Sequence, residues 1–106
     1  MTITGKLERR TYPGPPNYGE SPDDEPETGF YVVPDAPLCT HMDPDTMYGP
    51  LTDVRLVQMV LDSAGYARSR PLLGTHVRAS GTLFAAHTGH HHAPLLMSFP
   101  TIQPLP

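Results

Sequence analysis

The stretch Val54–Ala86, VRLVQMVLDSAGYARSRPLLGTHVRASGTLFAA, decides the fold that the sequence predicts. It begins with apolar side chains on both faces of an extended segment, which is typical of a strand with neighbours on either side. A cap residue and a glycine then bound a short helix, and apolar and polar residues alternate after it. The predicted elements are a central strand at Val54–Leu61, a helix from Ala64 to Leu72 or Leu73 with Ser63 as N-cap and Gly74 at its end, and a strand at Thr75–Ala86.

Two strands are predicted before this unit. Thr2–Thr11 alternates loosely and predicts a partly exposed strand, in which Gly5 marks a bulge or a sharp bend. Thr28–Thr40 opens with a strongly apolar strand, and Pro34 and Pro37 confine its end to a sheet edge because proline cannot donate a backbone hydrogen bond.

One strand is predicted after it, at Pro94–Ile102, and long loops rich in Pro, Gly and acidic residues lie at 13–27 and 41–52. The order is therefore three strands, one short helix and two strands, in a single domain over residues 1–106. This is the order of the oligonucleotide/oligosaccharide-binding (OB) fold, so we expect a small all-β, five-stranded, OB-like barrel. The helix between strands three and four would plug one end of that barrel.

Composition limits the classes of partner. The chain has 106 residues, of which 38% are hydrophobic, with 14 Pro and 9 Gly, which indicates one loop-rich domain. The net charge is −4 at pH 7, and only seven residues are Lys or Arg, which argues against nucleic acid as a partner. No apolar run approaches the ~20 residues of a membrane-spanning helix, and the sequence opens into a strand rather than a signal peptide. We therefore expect a metal ion or a small molecule as the partner, and no membrane.

Four of the six histidines lie in the loop between the last two predicted strands, at His87, His90, His91 and His92. Neutral imidazole is the commonest metal ligand in proteins. Alternate side chains of an extended segment share a face, so His90 and His92 would project together with His91 opposed. His87 would fold back across the turn Thr88-Gly89 to join them. Three imidazoles with an open position suit Zn, Cu or Ni, and the sequence predicts such a metal site here.

Other side chains would complete the metal site or bind a small ligand. A further metal donor would come from His41, Asp43, His76 or Cys39, if the fold brings one near. His76 and Arg78 share a strand face and would line a pocket together. Tyr12, Tyr18 and Tyr31 lie near Pro-rich turns and would form a stacking platform for a base or a sugar.

Each of these assignments has a structural alternative. The histidines can bond backbone groups and tie down the loop, the tyrosines can pack against prolines, and Arg78 can face solvent. Cys39, the only cysteine, allows no intrachain disulfide and is expected to be buried and unreactive. The acidic residues in Asp23–Glu27 lack the spacing of a calcium loop and are expected to form a solvated face. Met59 and Met97 are expected in the core.

Four segments carry a distinctive pattern: PGPPNY at 13–18, DEPET at 24–28, PLC at 37–39 and GTLFAAHTGHHH at 81–92. Together they resemble a bacterial family of unknown function, family 4431 of the domain-of-unknown-function series, and the last segment is the most specific. Members of that family look like small, mostly exported proteins, so the resemblance implies an exported or periplasmic location. It implies no activity, and no catalytic residue follows from it.

Three functions are compatible with these patterns. The first is a binding module that holds a transition metal or a small ligand through the histidine-rich loop, and this is the function that the sequence predicts. The second is a small hydrolase-type enzyme that uses a histidine or a metal-bound water, although the sequence has no nucleophile elbow, phosphate loop or dinucleotide fingerprint. The third is a structural or interaction protein that self-associates into a homo-oligomer through unpaired strand edges.

Overall fold

The computed structural model describes residues 2–14, 25–39, 53–86 and 90–105 and is mostly β. Its elements are β1 (Thr2–Pro13), β2 (Pro26–Pro34), β3 (Val57–Val60), α1 (Ser63–Ser69), a 3-10 turn (Arg70–Leu72), β4 (His76–Ala85) and β5 (Leu95–Pro104). The predicted order of three strands, one short helix and two strands is confirmed. Within these ranges no helix is long and apolar enough to cross a membrane.

The five strands form one mixed sheet that closes in a ring, in the order β1-β2-β3-β5-β4 and back to β1. β3 and β5 are parallel, and the other neighbouring pairs are antiparallel. β1 closes the ring because residues 2–6 pair with β4 while residues 5–13 pair with β2. Where the two pairings overlap, a Cβ on Gly5 would collide with the backbone of Val33. The strand therefore changes partner at a residue that has no side chain.

The strand ends differ from the predicted ones. β1 and β2 are longer than predicted at the ends that join them: Tyr12, just beyond the predicted first strand, pairs with Glu27, and Pro13 pairs with Pro26. Glu27, Pro13 and Pro26 are positions that the sequence assigns to the loop 13–27. β2 ends at Pro34, where pairing with β1 continues but pairing with β3 has stopped. Pairing between distant strands thus continues into a proline-rich sequence for which local propensity predicts a loop.

Alternation along the strands separates a packed interior from an outer face. β3 lies between β2 and β5, so it has the two neighbours that the sequence predicts, as does every strand of the closed ring. It is shorter than predicted, and Val54 instead forms an isolated bridge with Leu38. Met59 and Met97 are buried in the interior, as expected. The interior cluster consists of Ile3, Leu7, Phe30, Val32, Val54, Val57, Met59, Val77, Ala79, Leu95 and Met97.

Two fully buried side chains, Tyr31 and Leu96, do not belong to this interior cluster. They lie in a row of paired residues that crosses the outer face, formed by Glu8, Tyr31, Gln58, Leu96 and Phe84. Residues 90–92, which lie between β4 and β5, contact this row, and the backbone of His90 and His92 hydrogen-bonds to Gln58 at its centre. Part of the outer face is therefore covered by a loop rather than by solvent.

The helix begins one residue earlier than predicted. Asp62, rather than Ser63, is the N-cap, and its carboxylate accepts the backbone N–H of Gly65 at 2.7 Å. The α-helix gives way to a 3-10 turn around Pro71, which has no N–H to donate to the preceding helical turn. Gly74 follows with a φ of 81°, the left-handed conformation that glycine adopts easily after a helix.

Two side chains are more exposed than their sequence context predicts. Cys39 is exposed, so the expectation of a buried thiol is wrong; it lies just beyond the bridge between Leu38 and Val54, where the pairing ends. Phe99 is 93% exposed with a φ of 49°. The β4–β5 register shifts at this point and interrupts the alternation that would place Phe99 beside Met97.

The cap assignment can be tested by substitution. Asp62→Ala removes the acceptor for Gly65, and we expect it to lower the free energy of unfolding by about 1 kcal/mol, or the Tm by about 4 to 8 °C in thermal denaturation followed by circular dichroism. Ser63→Ala is the matched control and should change the free energy of unfolding by less than about 0.5 kcal/mol. Equal losses in the two variants would show that the cap is assigned wrongly.

Candidate functional site

The carboxylate of Glu27 is the point at which the histidine-rich loop meets the sheet. His90 Nδ1 lies 2.7 Å from Glu27 Oε2, and His92 Nε2 lies 2.8 Å from Glu27 Oε1. An ionised carboxylate can only accept hydrogen bonds, so both ring nitrogens donate. Each oxygen of one carboxylate therefore takes one imidazole N–H, and the two bonds fix which nitrogen of each ring carries a proton.

Gln58 holds the backbone of the same loop. Its Nε2 donates to the carbonyl oxygen of His90 at 3.1 Å, and its Oε1 accepts the backbone N–H of His92 at 2.7 Å. The side-chain amide thus bonds the loop backbone as a neighbouring strand would. Because Gln58 is paired with Tyr31 on one side and Leu96 on the other, its position is set by the sheet.

Two tyrosines lie against this loop. The ring of Tyr12 stacks on the imidazole of His92, with planes 9° apart and centroids separated by 5.0 Å. Tyr31 meets Tyr12 in a T-shaped contact with centroids 5.6 Å apart. Tyr31 is fully buried, burial raises the pKa of its phenol, and its hydroxyl has no hydrogen-bond partner among the described residues. Buried hydroxyls are normally bonded, so this one is an unsatisfied polar group in the described structure.

Glu27 was expected in a solvated acidic loop, and that expectation is wrong. It lies in β2 opposite Tyr12, and its side chain is 26% exposed. Burial acts to raise the pKa of its carboxyl, but the hydrogen bonds from His90 and His92 outweigh burial and hold the pKa below the ordinary value of 4.5. The sequence signal that could have indicated Glu27 is its position shortly before Phe30, where the apolar run of β2 begins.

The absence of a side chain at Gly14 leaves room for the carboxylate of Glu27. A Cβ on Gly14 would lie 3.1 Å from Glu27 Oε2 and 2.8 Å from the carbonyl oxygen of Glu25. The backbone N–H of Gly14 donates to that same carbonyl at 2.8 Å. A side chain at this position would push against both the backbone and the carboxylate that the histidines share.

The predicted metal residues separate into three groups. His90 and His92 share Glu27, whereas the ring of His91 meets Phe84 edge-on at 5.5 Å. His87 lies outside the described residues, as do the candidate donors His41 and Asp43 and the candidate stacking residue Tyr18. Within the ranges that the structure describes, no group of three or more His, Cys, Asp or Glu side chains is placed to hold a metal ion.

His76 and Arg78 lie at the other end of β4 from the histidine-rich loop. His76 Nε2 is 2.7 Å from Asp35 Oδ2, which also accepts the hydroxyl of Thr4 at 3.0 Å. The bond with His76 lowers the pKa of Asp35. Arg78 is exposed. The structure therefore does not bring this pair to the histidines, because the ten residues of β4 separate them.

Comparison with known proteins adds one family. Residues 56–103 match a family model described as a domain of unknown function, DUF4431. The match includes the segment 81–92, on which the resemblance depends most, and it leaves out the three segments nearer the N-terminus. Gln58, His90 and His92 lie inside the match, while Tyr12 and Glu27 precede it. No curated protein and no solved structure matches the chain.

The shared carboxylate gives a pH prediction. Glu27→Gln replaces the charged carboxylate that accepts hydrogen bonds from both imidazoles with a neutral amide. We expect it to lower the free energy of unfolding by about 1 to 2 kcal/mol at pH 7. The pKa of Glu27 is lower in the folded state, so its contribution is complete above pH 4.5 and is lost as the pH falls through the folded pKa. Thermal denaturation between pH 7 and pH 2 should therefore show the two stability curves converging in acid.

Asp35→Asn is the control for this experiment, since Asp35 also has a lowered pKa but lies with His76 at the far end of β4. It should leave the NMR resonances of the His90 and His92 rings unchanged, whereas Glu27→Gln should move both. A stability gap between wild type and Glu27→Gln that is as large at pH 2 as at pH 7 would contradict the assignment.

Proposed function

We propose that this chain, which contains a DUF4431 domain at residues 56–103, is a module that binds a small ligand on the outer face of β1, β2 and β3, beneath residues 90–92. One observation carries the proposal: two loop histidines converge on one strand carboxylate beside two tyrosines. Small-molecule sites typically combine aromatic surface with a few placed polar groups. The same combination is present here.

The topology supports this location. A ring of five strands with a helix between β3 and β4 is the arrangement of an OB-like barrel. OB folds bind ligands on the face of their second and third strands, between the β1–β2 and β4–β5 loops. Tyr31 and Gln58 lie on those strands, and His90 and His92 belong to the β4–β5 loop. This analogy concerns position alone, and the chemistry of the ligand follows from the side chains.

The way in which the loop is held also supports binding. Gln58 and Glu27 attach it to the sheet through hydrogen bonds. Such bonds contribute little net free energy when they are exchanged for equivalent ones, so a ligand that offers its own donors can replace them. His90 is 61% exposed and His92 is 10% exposed, which places the first ring at the rim and the second inside. The rings of His90 and His92 can therefore act as a wall and as a displaceable cover.

A transition-metal site for Zn, Cu or Ni is the second candidate. It is favoured by the donor set, because two imidazoles and one carboxylate are the ligands of several catalytic zinc sites. Within the described residues, however, no group of three or more His, Cys, Asp or Glu side chains is placed to hold a metal ion, and direct hydrogen bonds of 2.7 and 2.8 Å join these three groups instead. For this reason the small ligand is the function that the geometry favours.

A fragment library of small polar and aromatic compounds, screened by ¹H–¹⁵N NMR, tests the first proposal. We expect the compounds that bind to shift the amides of Tyr12, Glu27, Tyr31 and Gln58. Tyr12→Ala should weaken the binding of these compounds by about tenfold, because it removes a stacking surface worth about 1 to 3 kcal/mol. Arg78→Ala, at the far end of β4, is the control and should change nothing. Shifts that cluster around Arg78, or no shifts at all, would overturn the proposal.

Elemental analysis of untagged protein, purified without a nickel column, tests the second candidate. We expect well under one equivalent of Zn, Cu or Ni per chain, and no change in Tm when EDTA is added, because a ligand that binds only the folded state would raise the Tm. One bound equivalent that is lost in His92→Ala would instead favour the metal site.

A further inference from the structure

We propose that the ligand of this site carries a guanidinium group, and that the rings of His90 and His92 occupy the place of that group. The inference rests on the proposed function and goes beyond it by naming the chemistry that the surface recognises. Three features of the site support it: the hydrogen bonding of Glu27, the stacking on Tyr12 and the hydroxyl of Tyr31.

The first feature is the hydrogen bonding of Glu27. Each of its two oxygens accepts one N–H from a flat ring, at 2.7 and 2.8 Å. A guanidinium gives a carboxylate the same pattern, one N–H to each oxygen, from a single planar group. The two histidines together thus make the pair of bonds that one guanidinium makes alone.

The second feature is the stacking surface. The imidazole of His92 lies parallel to the ring of Tyr12, within 9°, while it donates to Glu27. A guanidinium bound to Glu27 in the same plane would lie flat on Tyr12, where planar cations stack well. Tyr12 is held from two sides, because Arg10 Nη1 donates to its hydroxyl at 3.4 Å and Tyr31 packs against it. The platform can therefore persist when His92 leaves.

The third feature is the buried hydroxyl of Tyr31. Its ring folds over Gly29, since a Cβ at Gly29 would lie 3.4 Å from the hydroxyl oxygen. Tyr12 links this phenol to Glu27, because Tyr31 contacts the ring of Tyr12 with centroids 5.6 Å apart and Tyr12 is the strand partner of Glu27. A guanidinium has five N–H donors, of which Glu27 takes two. The oxygen of Tyr31, which has no partner among the described residues, is an acceptor for another.

Charge and shape select a guanidinium over other donors. Arg10 Nη2 is paired with Glu8 at 3.0 Å, the net charge of the chain is −4, and the sequence before β2 is acidic. A cation is therefore attracted to Glu27, whereas a neutral planar donor would leave the carboxylate charge uncompensated. A lysine ammonium is a compact charge that cannot stack flat on Tyr12 while it bonds both oxygens.

NMR titration of the full chain with four probes tests the inference: methylguanidinium, L-arginine, L-lysine and L-citrulline, at equal ionic strength. We expect the first two to shift the amides of Tyr12 and Glu27 with a Kd on the order of millimolar, because a small flexible ligand gains little beyond its ordering cost. The ring resonances of His92 should lose the ring-current chemical shift caused by Tyr12, because the imidazole no longer stacks on it. Lysine and citrulline should bind at least about tenfold more weakly. The inference would be overturned if L-arginine binds but methylguanidinium does not, or if L-lysine binds as tightly as L-arginine.

Variants separate a displaced histidine from a histidine that is part of the site. His92→Ala should bind methylguanidinium at least about threefold more tightly, because it removes the competing ring. Glu27→Gln should bind it at least about tenfold more weakly. Asp35→Asn, which changes another carboxylate bonded to a histidine, is the matched control and should bind as wild type does.

The outcomes also distinguish this inference from the proposed function. Circular dichroism first verifies that each variant is folded, and Tyr12→Leu, which keeps an apolar side chain and removes the ring, should also weaken binding. Tighter binding in Glu27→Gln or weaker binding in His92→Ala would show that the inference is wrong. If fragments of other classes shift the outer face but guanidinium compounds do not, the inference fails and the proposed function stands. If no compound shifts that face, both fail.

Discussion

The divided pairing of β1 closes the sheet, and the rest of the structure depends on it. The strand pairs with β4 through residues 2–6 and with β2 through residues 5–13, so every strand in the ring has two neighbours. Closure pairs backbone groups that an open sheet would leave at its edges. It requires two backbones to approach closely at Gly5, where a Cβ would collide with Val33. A single position without a side chain thus allows a small chain to enclose an apolar interior.

Closure also separates the two faces of the strands. Inward side chains fill the interior, and the outward row that runs from Glu8 through Tyr31 and Gln58 does not belong to that core. Much of that row is polar or aromatic, and residues 90–92 between β4 and β5 cover part of it through hydrogen bonds with Gln58 and Glu27. The same residues also pack through their rings, His92 on Tyr12 and His91 on Phe84, so hydrogen bonds and ring contacts hold the cover together.

The state of Glu27 reflects two opposed effects. Partial burial disfavours its charge, while the N–H groups of His90 and His92 favour it, and the hydrogen bonds prevail. The same bonds fix the tautomers of both rings and keep His92 against Tyr12. Electrostatics and stacking therefore act on the same few atoms. That coincidence distinguishes this site from the pair of His76 and Asp35 at the far end of β4, which is exposed and has no aromatic ring contact in the described structure.

The sequence by itself determined the order of the strands, the short helix between β3 and β4, the interior places of Met59 and Met97, and the common direction of His90 and His92. These features depend on residues close together in the chain, through the period of two in strands and the local signals that bound a helix. Only the tertiary structure decided that Glu27 joins the site, that Cys39 is exposed and that His76 and Arg78 lie far from the loop. Glu27 and His90 are 63 residues apart and meet through strand pairing, and no local pattern specifies which register brings two distant strands together.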